Sequence, residues 1–303
     1  MTSAATSQAN AADQATGASQ WPFTVTPLHP VFGCEISGLT IEEAASEQHF
    51  PAIYEAFLRY QLIVFRDCDM PPATQVALAR RFGEVQVHVM NQYHGYADQP
   101  EIYVLSNIDE NGKPNGRHPD KGTLYWHTDG SWRPTPGLAT MMYADRVPKT
   151  GGLTEFADTY SAYERLSPEW QAKLQGLNAI HNLDFSRTRR HGEEPMTKAQ
   201  REAVPPVPHP VVRSHPETGR PALFLGDHAE TIEGWDYNEG RALIEEVMSL
   251  AIPDDLVYGH QWSPRECAIW DNRCMLHRAT PFDTAQEIRL MRRCTTLGQT
   301  PHH

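Results

Sequence analysis

The chain has 303 residues, 40% of them hydrophobic and 21% charged, an ordinary balance for a water-soluble globular protein of one large domain or two average ones. Thirty-eight acidic against 26 basic side chains give a net charge of −12, which argues against nucleic acid as the partner, because phosphate binding needs a dense Lys/Arg surface. No apolar run approaches the roughly 18 residues of a membrane-crossing helix, and the 5 cysteines, without CxxC spacing, point to reduced thiols in a cytoplasmic protein rather than to disulfides or structural zinc.

Residues 1–20 are rich in Ala, Ser, Thr and Gln, with no aromatic and no basic residue. Neither a secretory signal nor an Arg-rich transit peptide fits, and a disordered tail is expected ahead of a single domain over 21–303. Short strands are expected near 25–28 and 33–36. Residues 41–60 have helical periodicity, with Ile53, Ala56, Phe57 and Tyr60 on one face. The apolar, β-branched run 61–66 predicts a buried strand, 74–82 a helix stopped by Gly83, and 101–107 another strand. Residues 109–123, rich in Asn, Gly, Lys, Pro and Asp, form a loop that either covers a neighbouring site or merely connects elements. The charged, Pro-containing stretch 185–209 reads as a second, mobile insertion. Strands at 221–226, 255–262, 266–270 and 287–297 and a helix at 238–248 complete the pattern. With no internal repeat and no mid-chain linker, the fold class expected is mainly β with flanking helices (α+β), and the strand series fits a jelly roll.

Two short segments carry candidate chemistry. In the first, 126–129, His127 and Asp129 stand two residues apart, so in a strand both side chains point to one face and Thr128 to the other. The second, 270–277, ends in His277. Two imidazoles and one carboxylate on one face of an ion leave its other positions open, the facial arrangement of non-haem Fe(II) oxygenases. An HxD tripeptide alone is weak evidence in a chain with 15 His, where a hydrogen-bonded surface pair is the commoner meaning. If the segments meet on one ion, the two halves of the chain belong to one folded unit.

Further motifs follow in a fixed order: WHTDGSW at 126–132, GGLTEFADTYSAYERL at 151–166, HPVVRSHPETGRPALFLG at 209–226, WDNRCMLHRATPFD at 270–283 and IRLMRRCTTLG at 288–298. This collinear series resembles the TauD/TfdA family of Fe(II)- and 2-oxoglutarate-dependent dioxygenases over about residues 24–298. The resemblance implies a double-stranded β-helix (jelly-roll) core, Fe(II) held by His127, Asp129 and His277, and 2-oxoglutarate and O₂ as cosubstrates. It also implies that Arg289 anchors the distal carboxylate of 2-oxoglutarate, since a planar guanidinium donates two parallel hydrogen bonds. Thr154 is implied as a hydroxyl partner of 2-oxoglutarate. Arg293, four residues beyond Arg289, is expected on the same face to assist the cosubstrate or an anionic substrate group, with Arg292 turned away. Outside the motif, these Arg would read as solvated strand charges and Thr154 as a turn residue.

His88 and Trp132 match substrate-pocket positions of the family, against a structural or surface role for the first and a core role for the second. His181 and Arg187 fall in a segment the family shares, without an assigned role. His215 is expected to be structural, and His94 and His118, in variable loops, are minor candidates for substrate contact. Asp129 separates the chain from related halogenases, in which a small residue replaces the carboxylate. Thr123 stands where taurine-oxidising members carry an Asn, and the wording of the C-terminal half is nearer the phenoxyacetate branch. The reaction implied is hydroxylation of a small anionic substrate (an aryloxyalkanoate, sulfonate or alkyl sulfate) with succinate and CO₂ as coproducts, in a homo-oligomer (dimer or tetramer). Two other readings remain at this point. A zinc-dependent hydrolase would use the same His/Asp/His ligands but leave Arg289 no task, and a non-catalytic jelly-roll binding protein would need none of the four.

Overall fold

The computed structural model describes residues 21–88, 95–96 and 98–303; the expected tail at 1–20 and the candidate His94 lie outside the described residues. In the first part of the chain the strands are β1 (Thr24–Pro27), β2 (Cys34–Ser37), β3 (Leu62–Phe65), β4 (Gly95–Tyr96), β5 (Gln99–Ser106), β6 (Gly137–Arg146) and β7 (Thr154–Asp158). Then come β8 (Asn178–His181), β9 (Val207–Pro210), β10 (Val212–Ser214), β11 (Pro221–Leu223) and β12 (Ala229–Ile232). The last four are β13 (Val257–His260), β14 (Cys267–Asp271), β15 (Met275–Ala279) and β16 (Leu290–Leu297). An eight-stranded sheet runs in the order β1-β2-β3-β14-β6-β16-β5-β4, antiparallel except at β2–β3. Strands from the two halves of the chain therefore alternate within it. A three-stranded sheet, β13-β7-β15, packs against it, and two smaller sheets, β12-β8-β9 and β10-β11, lie beyond. The expected jelly roll with flanking helices is what the chain forms.

Period-two alternation explains how the large sheet buries both faces. Ile63, Phe65, Met141, Tyr143, Cys267 and Ile269 join one apolar cluster with the helices Ile41–Ala45, Phe50–Tyr60 and Pro72–Phe82. Their neighbours Leu62, Val64, Met142, Ala144, Ala268 and Trp270 join a second cluster with Phe156 and Met275 of the small sheet. The edge of the Phe156 ring meets Trp270 at 5.3 Å between centroids. Each such fully buried large side chain contributes about 1.5–3 kcal/mol. The same alternation aims Tyr103, Thr140, Arg293 and Thr295 to the interior side, whereas Arg292 turns to the helix side, where it pairs with Asp145 at 2.8 Å. A third cluster seats the helix Tyr237–Ala251, whose Asp236 side chain caps its first turn.

Two expectations are corrected. The helix expected over 41–60 is two helices. Thr40 and Glu43 form a capping box on Ile41–Ala45, which ends at Ser46, and Pro51 in the first turn of Phe50–Tyr60 starts the second; proline has no N–H to give to a preceding turn and suits a helix start. The stretch 185–209 is not a featureless insertion. It holds a π-helical turn at Ser186–Arg190, a helix at Lys198–Ala203 with a Thr197/Gln200 capping box, and part of a sheet through β9. No described helix is long and apolar enough to cross a membrane, and the five cysteines are all free thiols.

Candidate active site

His277 is the third residue of β15 and lies opposite Phe156 of β7. On its other side it meets His127 in an isolated antiparallel bridge. The His127 N–H donates to the His277 carbonyl at 3.0 Å and the His277 N–H returns the bond at 2.9 Å. Two residues 150 apart in sequence are thus placed face to face, with imidazole centroids 4.2 Å apart. The HxD pair is not in a regular strand, because Asp129 opens a turn completed by Gly130 at φ +71°. Thr128 nevertheless turns away, donating to the Asn272 carbonyl at 2.7 Å. One donor atom from each of His127, Asp129 and His277 lies within 4.8 Å of the others, all three residues being buried. His127 Nε2 is 3.9 Å from Asp129 Oδ1, and His277 Nε2 is 3.7 Å from Oδ2.

The surrounding hydrogen bonds set the state of these groups. His127 Nδ1 lies 2.8 Å from the Tyr125 carbonyl. A carbonyl only accepts, so Nδ1 carries the proton and Nε2 keeps its lone pair for a metal. Burial pushes the His277 pKa well below its usual value, helped by His127, and keeps this imidazole neutral as ligation requires. Burial alone would raise the Asp129 pKa, but Arg293, the two imidazoles and the Thr140 hydroxyl outweigh it and hold the carboxyl below its usual range. Arg293 NH1 donates to Oδ1 at 3.1 Å, and the Thr140 hydroxyl donates to Oδ2 at 2.6 Å. Asn272 Nδ2 in turn donates to Thr140 Oγ1 at 2.9 Å, while its Oδ1 accepts from the Asp129 backbone at 3.2 Å and from Trp270 Nε1 at 3.2 Å. Thr140 and Asn272 thus hold Asp129 of the candidate ligand set in place, and no separate signal in the sequence marked either.

Arg289 immediately precedes β16. Its side chain is buried, has no ion pair among the described residues, and leaves Nε without a hydrogen-bond partner. Burial pushes its pKa down to about 10. An uncompensated buried guanidinium is costly unless an anion arrives to meet it. Its backbone is fixed by Asn107, whose Oδ1 accepts from the Arg289 N–H at 2.8 Å. Gly152, at φ +63°, passes so near that a Cβ there would sit 3.7 Å from Arg289 Cδ. Two residues on, Thr154 Oγ1 accepts from Trp262 Nε1 at 2.9 Å, so its own proton is free to donate. Two imidazoles and a carboxylate with open positions fit Fe(II), and a buried guanidinium without an ion pair among the described residues fits the carboxylate end of 2-oxoglutarate.

A cleft opens beside His127, Asp129 and Arg293. His88 and Trp132 both line it. The His88 ring lies 4.7 Å from Tyr103 and 5.9 Å from Trp132, and desolvation lowers its pKa to about 3. Trp132 is at once a buried residue and a cleft wall. Asp120, Gly122 and Thr123 from the loop 109–123 also reach the cleft. So does His228, unmarked in the sequence; Ser131 Oγ lies 3.0 Å from its Nδ1, and burial lowers its pKa to about 4. His277, Arg289 and Thr154 do not line this cleft. His118 sits elsewhere with its ring 5.8 Å from Phe282, and His181 stacks on Phe224. His215, Asp271 and Cys274 form a second buried group. His215 Nδ1 accepts from two backbone N–H groups, so Nε2 donates to Asp271 at 3.1 Å, and Asp271 is further saturated by Arg273. That group is structural.

A jelly roll with two imidazoles and a carboxylate converging at one buried point defines the class of facial-triad metal oxygenases. The family model described as "Taurine catabolism dioxygenase TauD, TfdA family" matches residues 24–295, and the chain belongs to that family of Fe(II)- and 2-oxoglutarate-dependent dioxygenases. The alpha-ketoglutarate-dependent 2,4-dichlorophenoxyacetate dioxygenase of Cupriavidus pinatubonensis is 34% identical over 278 residues, covering 89% of this chain and 96% of that one. The (S)-phenoxypropionate/alpha-ketoglutarate-dioxygenase of Sphingobium herbicidovorans is 31% identical, covering 88% and 92%. The crystal structure of AAD-2 in complex with Mn(II) and N-oxalylglycine superposes with a TM-score of 0.81 at 31% identity, over 92% of this chain and 99% of that one. The hydrolase and binding-protein readings find no support among these relatives.

Proposed function

We propose that this dioxygenase hydroxylates a small aryloxyalkanoic acid, holding Fe(II) through His127, Asp129 and His277 and the distal carboxylate of 2-oxoglutarate through Arg289 and Thr154. The observation that carries the reading is Arg289, a buried cation with no counterion among the described residues. In support of the substrate class, curated relatives act on phenoxyalkanoates and the cleft wall is aromatic at His88, Tyr103 and Trp132. Thr123 lines the cleft where taurine-oxidising members present an amide.

When bound, Fe(II) with 2-oxoglutarate and O₂ supplies the oxidising power that turns a substrate C–H into C–OH while 2-oxoglutarate becomes succinate and CO₂. The protein provides placement and a dry site. His277 is kept neutral by burial, and His127 presents Nε2 because Tyr125 holds the proton on Nδ1. Arg293 and Thr140 keep Asp129 ionised and oriented. The aromatic wall packs the aryl ring. If the hydroxylated carbon bears the ether oxygen, the product collapses to a phenol and a carbonyl compound.

Succinate release and product identification over aryloxyalkanoates, sulfonates and alkyl sulfates test this. Phenol release from phenoxyacetates, dependent on Fe(II) and 2-oxoglutarate and lost in His127→Ala, is expected. Turnover confined to sulfonates or sulfates would overturn the substrate class, and succinate formation unaffected by His127→Ala would overturn the metal site.

A further inference from the structure

The π-helical turn Ser186–Arg190 and the residues flanking it form one wall of the cleft, contributing Leu183, Ser186, Arg187, His191 and Glu193. Such turns interrupt regular helix geometry and recur at functional sites. This one is tied to the segment that carries His127 and Asp129. The Ser186 hydroxyl and His191 Nε2 both reach Asp227 Oδ2, the latter at 2.9 Å, and the Asp227 N–H donates to the Trp126 carbonyl, one residue before His127, at 2.8 Å. The His191 ring also stacks on Tyr125 at 4.8 Å. The segment therefore holds a set position over the site.

Arg187 is the group it presents. Its NH1 pairs with Glu193 Oε2 at 2.9 Å, and both residues line the cleft. Its Nε is shielded from solvent and has no hydrogen-bond partner. The other guanidinium on the cleft, Arg293, is already paired with the metal carboxylate Asp129. Arg187 is thus the cleft guanidinium whose counterion can be exchanged without disturbing the ligand set.

We propose that Arg187 is a specificity-determining residue that receives the carboxylate of the substrate by giving up Glu193. This rests on the reading of the cleft as the site of an anionic substrate. A substrate carboxylate can take the place of Glu193 at NH1 and reach across to NH2, the two-pronged end-on geometry that a guanidinium favours. A neutral substrate leaves the Arg187–Glu193 pair intact and gains nothing from it. Glu193 is a built-in competitor, so the pair discriminates by charge rather than merely attracting acids.

The test uses protein loaded with Mn(II) and N-oxalylglycine, which does not turn over. Calorimetry gives dissociation constants for phenoxyacetate and for its neutral counterpart 2-phenoxyethanol. Arg187→Gln is expected to weaken phenoxyacetate at least ~10-fold, a charged hydrogen bond being lost. Glu193→Gln is expected to tighten it roughly 2- to 5-fold, the competitor being removed. Both variants should hold 2-phenoxyethanol as the wild type does, which also shows that they fold. Equal effects on acid and alcohol, no effect of Arg187→Gln, weaker acid binding in Glu193→Gln, or wild-type protein that does not distinguish the two ligands would each overturn the proposal. Fe(II)- and 2-oxoglutarate-dependent succinate release by the wild type, measured separately, reports on the cosubstrate reading and not on Arg187.

Discussion

Replacing Thr140 by Val keeps the shape of the side chain and removes one hydroxyl from beneath the metal site. That hydroxyl donates to Asp129 Oδ2 at 2.6 Å and accepts from Asn272 Nδ2 at 2.9 Å. Since its proton goes to Asp129, Thr295 Oγ1, 3.1 Å away, must donate to it as well. Loss of a hydrogen bond to a buried carboxylate costs about 1.5–3 kcal/mol, and stranding the Asn272 and Thr295 donors costs about 1–3 kcal/mol of stability. Removing the partner of a metal ligand weakens metal binding about 10- to 100-fold. The sign with pH is also set. Thr140 is one of the groups holding the Asp129 pKa down, so in the variant the carboxyl protonates at higher pH and metal binding fails earlier on acidification. Titration with Mn(II) at pH 7 and pH 6, with a thermal melt of the apoprotein, measures all three effects. A folded Thr140→Val protein whose Mn(II) affinity stays within about twofold of wild type would refute the claim that this hydroxyl orients the ligand.

Arg289→Gln should raise the apparent KM for 2-oxoglutarate by at least ~30-fold, the lower end of what removing one partner of a buried charge pair costs, read from succinate kinetics; an unchanged KM rejects the anchor assignment. Gly226 sits at φ +143°, and a Cβ there would lie 3.0 Å from the Trp126 carbonyl and 3.3 Å from His127 Cα. Gly226→Ala should therefore lower Mn(II) affinity as well as melting temperature, and a loss of stability alone would mean that His127 does not feel the change. Asp271 is buried, and although burial would raise its pKa, Arg273 and His215 outweigh it and leave the folded value depressed. A depressed folded pKa gives stability that is fully present above the unfolded value of about 3.9 and lost as pH falls towards the folded one. The penalty of Asp271→Asn, about 3–5 kcal/mol at neutral pH, should hold from pH 7 to about 5 and narrow below about pH 4. Urea midpoints across that range measure it, and a gap that widens on acidification contradicts the sign.

Much of the site could be read from local spacing. His127 and Asp129 stand together because they are only two positions apart, and the motif around 288–298 carries Arg289 and Arg293 with Arg292 on the other face. The alternation that splits Ile63 and Val64, or Ile269 and Trp270, between two cores is likewise a property of covalent geometry, which is why the strands were legible. The helix end at Gly83 was legible from that glycine, whereas the break at Ser46 follows from Pro51 and not from hydrophobic period.

What covalent spacing cannot contain is sheet order and register. The reciprocal His127–His277 bridge exists because β15 and the segment ahead of the turn at Asp129 and Gly130 lie side by side, a pairing across 150 residues. The same holds for Thr140 and Asn272, each unremarkable in sequence, which the pairing of β6 with β14 brings under Asp129. The polar stretch 185–209 read as an insertion because its composition lacks an apolar face, yet Asp227 gives its π-turn a fixed anchor from another part of the chain. The collinear motifs, through the family resemblance they carry, thus supplied the metal ligands and the cosubstrate arginine as expectations. Only the tertiary structure decided which groups hold those ligands in place and that Arg187 faces the same cleft, because hydrogen bonds between distant segments are set by how the sheets pack.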